Sequence, residues 1–183
     1  QGLDDHHAER EGRVFGLRQA RIRQHAEQRH QRDQEDHQRL VPQRPLRYRA
    51  GQHLVLWTGG VARPYSLASL PEEDRFLEFH LDCAHPGEFV DAARQFKPGD
   101  EVRLGELRGG ALRYDPDWQE HPLWLLASGT GFAPIKALIE HLQFKGISRP
   151  TVLYWGGRRP GDLYLADWVQ ARVAELPWLR YVP

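Results

Sequence analysis

Cysteine is almost missing from this chain of 183 residues, where Cys83 stands alone. That excludes an intramolecular disulfide and any cysteine-rich metal or iron–sulfur site built from the chain itself. Net charge is missing too, because lysine plus arginine and aspartate plus glutamate balance at 25 each. With no global field to steer it, the chain is not drawn to nucleic acid or to an anionic membrane, and charge selectivity has to be local. Long apolar runs are lacking: none approaches the roughly 20 residues that a membrane span requires, and the first residues hold no signal-peptide core. A cytoplasmic location without membrane insertion is the expectation. What is present is a hydrophobic content of 40%, enough for a core in one large domain or two small ones.

Composition divides the chain into three parts. Residues 1–41 are dominated by glutamine, arginine, histidine and acids, with scattered apolar residues such as Val14, Phe15, Leu17 and Ile22, too few to bury against a core. From Leu17 to Leu40 there is no glycine or proline, so a polar segment, weakly ordered or helical, is expected. His6, His7, His25, His30 and His37 lie here, and a metal site is the sharp reading of them. Their spacings repeat no ligand pattern, so no metal is expected.

Residues 42–117 read as antiparallel strands with one short helix. "AGQHLVLW" is a strand entered through a turn at Ala50-Gly51; "RPYSLAS" is short and extended because Arg63 precedes a proline. "RFLEFHLD" alternates and predicts a strand with one buried face. "GEFVDAARQF" predicts a short helix, and "KPGDEVRLGEL" a Pro-Gly turn and a further strand. An antiparallel barrel or sandwich follows. Residues 118–183 change to β-α-β-α-β: "PLWLLA" predicts a strand covered on both faces, then come a helix after "SGTG", the strand "TVLYWGG", a helix from "GDLYLADWVQARVAEL" and the strand "LRYV". That series is half of a doubly wound parallel sheet.

Two turns carry chemistry. Gly129, Thr130 and Gly131 join a buried strand to an amphipathic helix, where bare backbone, a hydroxyl and a helix N-terminus form a cradle for a diphosphate. A tight turn needing φ > 0 would explain both glycines equally well. In "RPYSLAS", Arg63 offers a fork for phosphate, Pro64 rigidity, Tyr65 a stacking face and Ser66 a hydroxyl for a ring nitrogen. A flat heteroaromatic cofactor bearing phosphate suits all four, whereas an edge strand with a surface arginine would explain them separately.

The ordered set "AGQHLVL", "RPYSLAS", "PGEFVDAARQFKPGD", "LLASGTGFAPIKALI" and "LYWGGRRPGDLYL" resembles the ferredoxin–NADP reductase superfamily, over roughly Leu46 to Pro183. The resemblance implies a flavin-binding antiparallel barrel followed by a nicotinamide-nucleotide domain, FAD and NAD(P)H as cofactors, and an iron–sulfur or haem protein or domain as electron acceptor. It implies that Arg63 and Pro64 serve the flavin diphosphate, and that Tyr65 and Ser66 stand at the reacting ring as the residues nearest catalysis. Gly87, Glu88 and Phe89 would turn backbone N–H groups to the diphosphate; Gly129, Thr130, Gly131 and Pro134 would hold the nicotinamide nucleotide. Arg158 and Arg159 fall where an adenosine 2′-phosphate would sit, or are surface residues of a Gly-Pro loop, so NADH against NADPH stays open, as does FMN against FAD.

The resemblance has departures. Val90 replaces a frequent hydroxyl residue, and "GELRG" puts Glu106 in a cofactor loop, where it is expected to face water. The two first barrel strands are expected to be absent from residues 1–40, apart from "RVFGL", and the chain stops after the third parallel strand, as a piece of a reductase would. The functional expectation is an FAD-dependent NAD(P)H oxidoreductase that passes hydride from nicotinamide to flavin N5. The alternatives are a non-catalytic flavin-binding fragment and a nucleotide-binding interaction domain.

Overall fold

The computed structural model describes residues 18–23, 35–42, 44–58, 60–73, 75–83, 87–97, 99–110 and 112–183, with 18–23, 35–40 and 119–120 described by their backbone. Two sheets divide them. The first is antiparallel, with strands β1 (Arg18–Arg23), β2 (Glu35–Pro42), β3 (His53–Thr58), β4 (Val61–Ser66), β5 (Leu77–Asp82) and β6 (Glu101–Arg108) in the order β4-β3-β6-β1-β2-β5. The two ends of that order approach each other, since Ala68 N–H, just past β4, donates to Glu78 O in β5 at 2.8 Å. Helix α1 (Glu88–Ala93) follows β5.

Period-two patterning explains most of this sheet. In β3, Leu54 and Leu56 are buried while Trp57 is exposed; in β6, Val102 and Leu104 are buried between exposed Glu101, Arg103 and Glu106. These side chains meet Phe79, Leu81 and Phe89 in one core. β1 and β2 break the pattern expected for residues 1–41, where a helical or weakly ordered segment and missing strands were anticipated. β1 is hydrogen-bonded on both sides, Ala20 opposite Val102 of β6 and Ile22 opposite Leu40 of β2. A ladder on each edge satisfies the backbone whatever the residue type, and so outweighs weak local preference. His37 lies in β2, in register with His80; "RVFGL", His6, His7, His25 and His30 lie outside the described residues.

The second sheet is parallel, β7 (Leu123–Ser128), β8 (Thr151–Gly156) and β9 (Leu179–Val182) in that order, crossed by α2 (Phe132–Phe144) and α3 (Ala166–Glu175). Leu125, Leu153, Trp155 and Leu179 share one core with Phe132, Ile135, Leu138, Leu142 and Val169, so both helices cover the same face. Strand order that steps in one direction, with crossovers of one hand, requires this. The other face bears Trp124 and Leu126, each 70% exposed, and the half-exposed Tyr154. "PLWLLA" is therefore covered on one face among the described residues, not two, and the doubly wound layering is not completed there. α2 departs in the opposite sense: Phe132 to Ile139, with His141 and Leu142, are all buried. It lies between the parallel sheet on one side and the antiparallel domain on the other, where Lys136 Nζ donates to Ala68 O at 3.2 Å. No helix among the described residues is long and apolar enough to cross a membrane.

One glycine joins the two halves. Gly51 has φ +87, and a Cβ built on it would stand 1.9 Å from Leu112 O and 2.5 Å from Leu112 C; next to it, Tyr114 N–H donates to Ala50 O at 2.8 Å. Gly60 has φ +85 but nothing within 4 Å of its would-be Cβ. Gly60→Ala is expected to cost about 1 kcal/mol, the left-handed penalty alone. Gly51→Ala adds a backbone collision and is expected to cost at least about 2 kcal/mol. Chemical-denaturation midpoints of the two variants check the difference; equal values would show that the segment carrying Leu112 is not held against the turn.

Candidate functional site

The Arg63–Ser66 residues occupy β4, the strand at one end of the order β4-β3-β6-β1-β2-β5, and their backbone is set by pairing with β3: Arg63 opposite Leu56, Pro64 opposite Val55, Tyr65 opposite Leu54 and Ser66 opposite His53. Pro64 is tolerated because an edge strand need not donate on both sides. Arg63 and Pro64 are exposed, and Arg63 Nη1 donates to Ala62 O at 2.8 Å, so the guanidinium is folded back on its own strand. Tyr65 is half-buried and meets Phe89 of α1 with ring centroids 5.0 Å apart. Burial pushes the Tyr65 phenol above its usual range, so it stands as a neutral hydroxyl. Gly87 precedes α1 in extended backbone and no side chain caps that helix; Glu88 is exposed and Phe89 buried. The structure thus brings Tyr65 and the start of α1 together. Glu106 is exposed and takes a 3.3 Å contact from Arg108 Nε.

Gly129, Thr130 and Gly131 form a 3-10 turn between β7 and α2. The two glycines differ. Gly129 has φ +49, which a glycine relieves of strain. Gly131 has φ −58, an ordinary helical value, and no side chain caps α2 there. A Cβ at Gly131 would meet nothing within 4 Å. Neither strain nor crowding calls for glycine at this position, which leaves bare backbone beside an open space at a helix start that no side chain caps, where Phe132 N–H is taken by the carbonyls of Gly129 and Thr130. Pro134 is buried in the first turn of α2. Arg158 and Arg159 follow β8 with exposed side chains, and their backbone N–H groups both donate to Asp162 Oδ2, at 2.8 and 3.1 Å.

Behind the glycine turn stands an aromatic block. Trp155 Nε1 donates to Gly129 O at 3.1 Å; Phe132 stacks on Trp155 with centroids 4.0 Å apart and planes 12° apart. Tyr164 meets the Trp155 ring edge-on at 5.2 Å. Residue-pattern reasoning passed over what lies next to it. Glu78 and His80 of β5, expected on a solvent face, are each 2% exposed, because that face is covered by α2 and the Tyr164 segment. His80 Nδ1 lies 2.6 Å from Tyr164 Oη and His80 Nε2 lies 3.0 Å from Glu78 Oε1. Lys136 Nζ stands 3.5 Å from the same Glu78 oxygen and donates to Glu140 Oε1 at 2.8 Å. A Glu-x-His pair in a strand followed by a lysine in the next domain's first helix was the available signal. Burial holds the His80 imidazole below its usual pKa against the opposing pull of Glu78, and raises the Glu140 carboxyl despite Lys136. In the turn between β4 and β5, burial would raise Glu72, but hydrogen bonds from Lys145 and His141 at the far end of α2 outweigh it and hold the carboxyl low.

A family model described as "Oxidoreductase NAD-binding domain" matches residues 125–183. Reductase component 1 of terephthalate 1,2-dioxygenase from Comamonas sp is 34% identical over 145 residues, covering 79% of this chain and 43% of that protein. An NAD(P)H-flavin reductase of Aliivibrio fischeri is 30% identical over 152 residues, covering 79% of this chain and 63% of the relative. The chain thus spans about half the length of these curated relatives. Among solved structures, the Amycolatopsis cytochrome P450 reductase GcoB superposes with a TM-score of 0.76 at 28% identity, over 92% of this chain and 51% of that one. A Neisseria gonorrhoeae ferredoxin NADP+ reductase with bound FAD and NADP shares the fold, with a TM-score of 0.70 at 21% identity over 91% of this chain and 67% of that one.

His80 sets a pH dependence. With its folded pKa below the ordinary 6.5, the unfolded chain takes up the proton first as pH falls. Stability from this residue is complete above about pH 6.5 and declines below it. Glu78 on its own strand, Lys136 and Glu140 of α2, and Tyr164 lie about the residue, and β2 pairs with its backbone at His37, so the contribution is read by difference. Denaturant midpoints at pH 7.5 and 5.5 are expected to fall further in the wild type than in His80→Gln; parallel lines for the two proteins would contradict a buried neutral imidazole.

Proposed function

The chain belongs to the ferredoxin–NADP reductase superfamily, and from that premise we propose that it forms the flavin- and nucleotide-binding part of an FAD-dependent NAD(P)H oxidoreductase. The relatives' names supply the setting: a reductase component of a dioxygenase and a flavin reductase. The proposed flow is from NAD(P)H through FAD to an iron–sulfur or haem protein or domain, such as an oxygenase component.

Bound FAD would supply N5 as the acceptor of a hydride from the nicotinamide and return the electrons singly. This chain's residues bind, orient and exclude water. Arg63, once it swings from Ala62 O, provides a charge-assisted fork for a diphosphate oxygen. Tyr65, held by Phe89, offers a ring face and a neutral hydroxyl at the isoalloxazine side. Ser66 adds a hydroxyl donor beside it, and the uncapped start of α1 adds backbone donors. Thr130 and Gly131 receive the nucleotide, with Pro134 and Phe132 packing the turn from behind. Holding two rings in contact reduces the barrier by removing translational and rotational freedom. No acid or base on the chain is needed for a hydride step.

The observation that carries the reading is Gly131, a glycine without a conformational reason that opens on free space beside an uncapped helix start. Gly131→Ala is therefore expected to melt like the wild type yet bind NADH or NADPH roughly tenfold more weakly, about 1.4 kcal/mol. Loss of folding with unchanged nucleotide affinity would assign this glycine to the turn alone. For the flavin half, FAD is titrated by fluorescence against wild type and Arg63→Ala. The variant is expected to bind at least tenfold more weakly, and anaerobic NAD(P)H should bleach the flavin band of the wild type. A protein that stays colourless with excess FAD would refute the proposal.

A further inference from the structure

The buried polar group between the two domains touches the nucleotide turn from behind. β5 packs directly against the 129–131 turn. From β5, the chain of contacts runs Glu78 to His80, His80 to Tyr164, Tyr164 to Trp155, and Trp155 Nε1 to Gly129 O. Each link is directional. The Glu78 carboxylate accepts at His80 Nε2, which places the ring proton on that nitrogen and leaves Nδ1 to accept from the Tyr164 hydroxyl. Lys136, at 3.5 Å from the same carboxylate oxygen, balances the charge that fixes the tautomer. Tyr164 is held edge-on by Trp155 at 5.2 Å, leaving its hydroxyl aimed at the opposite sheet.

We infer that Tyr164 and His80 are positioning residues that clamp the glycine turn of the parallel sheet against the antiparallel sheet, so that the turn is pre-organised to receive the nicotinamide nucleotide. The inference deepens the proposed function and rests on it for the identity of the ligand. The clamp itself rests on the geometry. A 2.6 Å hydrogen bond between a residue of β5 and one that precedes α3 spans the domain boundary, and the Tyr164 ring is in contact with the indole that holds Gly129 O. Neither residue touches the reacting rings in this account; both act through the turn.

Tyr164→Phe removes one hydroxyl and keeps the ring contacts, so the fold is retained and a thermal melt verifies it. Three measurements on the full chain test the clamp, the kinetic ones with added FAD. Amide hydrogen exchange at Gly129 to Phe132 is expected to quicken about tenfold in the variant, with exchange in β3 and β6 unchanged. The KM for NADH or NADPH is expected to rise about five- to tenfold while kcat at saturation stays within twofold and FAD affinity is unaltered. The double variant His80→Gln/Tyr164→Phe is expected to shift KM and exchange at the turn no further than His80→Gln does alone, because the two groups act as one link. Wild-type exchange and wild-type KM in Tyr164→Phe would overturn the clamp, and so would additive losses in the double variant. The exchange measurement needs no cofactor, so a chain that takes no FAD yet shows faster exchange in Tyr164→Phe would reject the flavin reading and leave the clamp standing. A coloured, active chain with unchanged exchange and KM would do the reverse.

Discussion

The Glu78 carboxylate sits 2% exposed at the join between two sheets, and an ion taken out of water there must find its compensation locally. It finds it in two elements of different domains: His80 on its own strand, and Lys136 on α2, the latter itself 7% exposed and also bonded to Glu140 and to Ala68 O. Removing one partner of a buried charge pair costs roughly 3–5 kcal/mol, because the other is left stranded. The two sheets are therefore held at one orientation by a requirement for electrical balance, which apolar contact alone would not impose. Apolar surfaces slide over one another with little penalty; charges with short directional hydrogen bonds do not.

That fixed orientation gives the glycine turn its meaning. Gly129 and Gly131 look interchangeable in the sequence, but backbone angles separate a glycine that relieves strain from one that clears a path. Trp155 holds the first by its carbonyl, and the second opens outward. Arg63, Tyr65 and Ser66 present a comparable case on the other sheet, where strand pairing sets alternate directions for neighbouring side chains. Arg63 lies against its own backbone, a movable cation beside the fixed rings of Tyr65 and Phe89.

Much of this was legible in the residues. Strands β3 and β6 declare themselves by strict alternation about Leu54, Leu56, Val102 and Leu104, and "SGTGF" marks the junction of β7 and α2. Legibility failed where a segment owed its conformation to distant partners. β1 and β2 are rich in arginine and glutamine and become strands because both edges are bonded. β7 reads as doubly covered, yet strand order places both crossover helices on one side. Glu78 and His80 read as a solvent face because a charged residue in an alternating strand usually is one; nothing within "RFLEFHLD" announces that a lysine 58 positions later will cover it.

The uncovered side of the parallel sheet makes the chain report on itself. Of six tryptophans, Trp124 is 70% exposed whereas Trp155 is 0% exposed. Dissolved iodide can collide with the first indole and is shielded from the second. Trp57 on the antiparallel sheet is 40% exposed and contributes to the red edge of the emission as well. In a Trp57→Phe background, a molecule that settles on the uncovered side of the parallel sheet shifts the intrinsic emission towards the blue and protects it from quenching, so occupancy can be followed without a dye, a tag or a label.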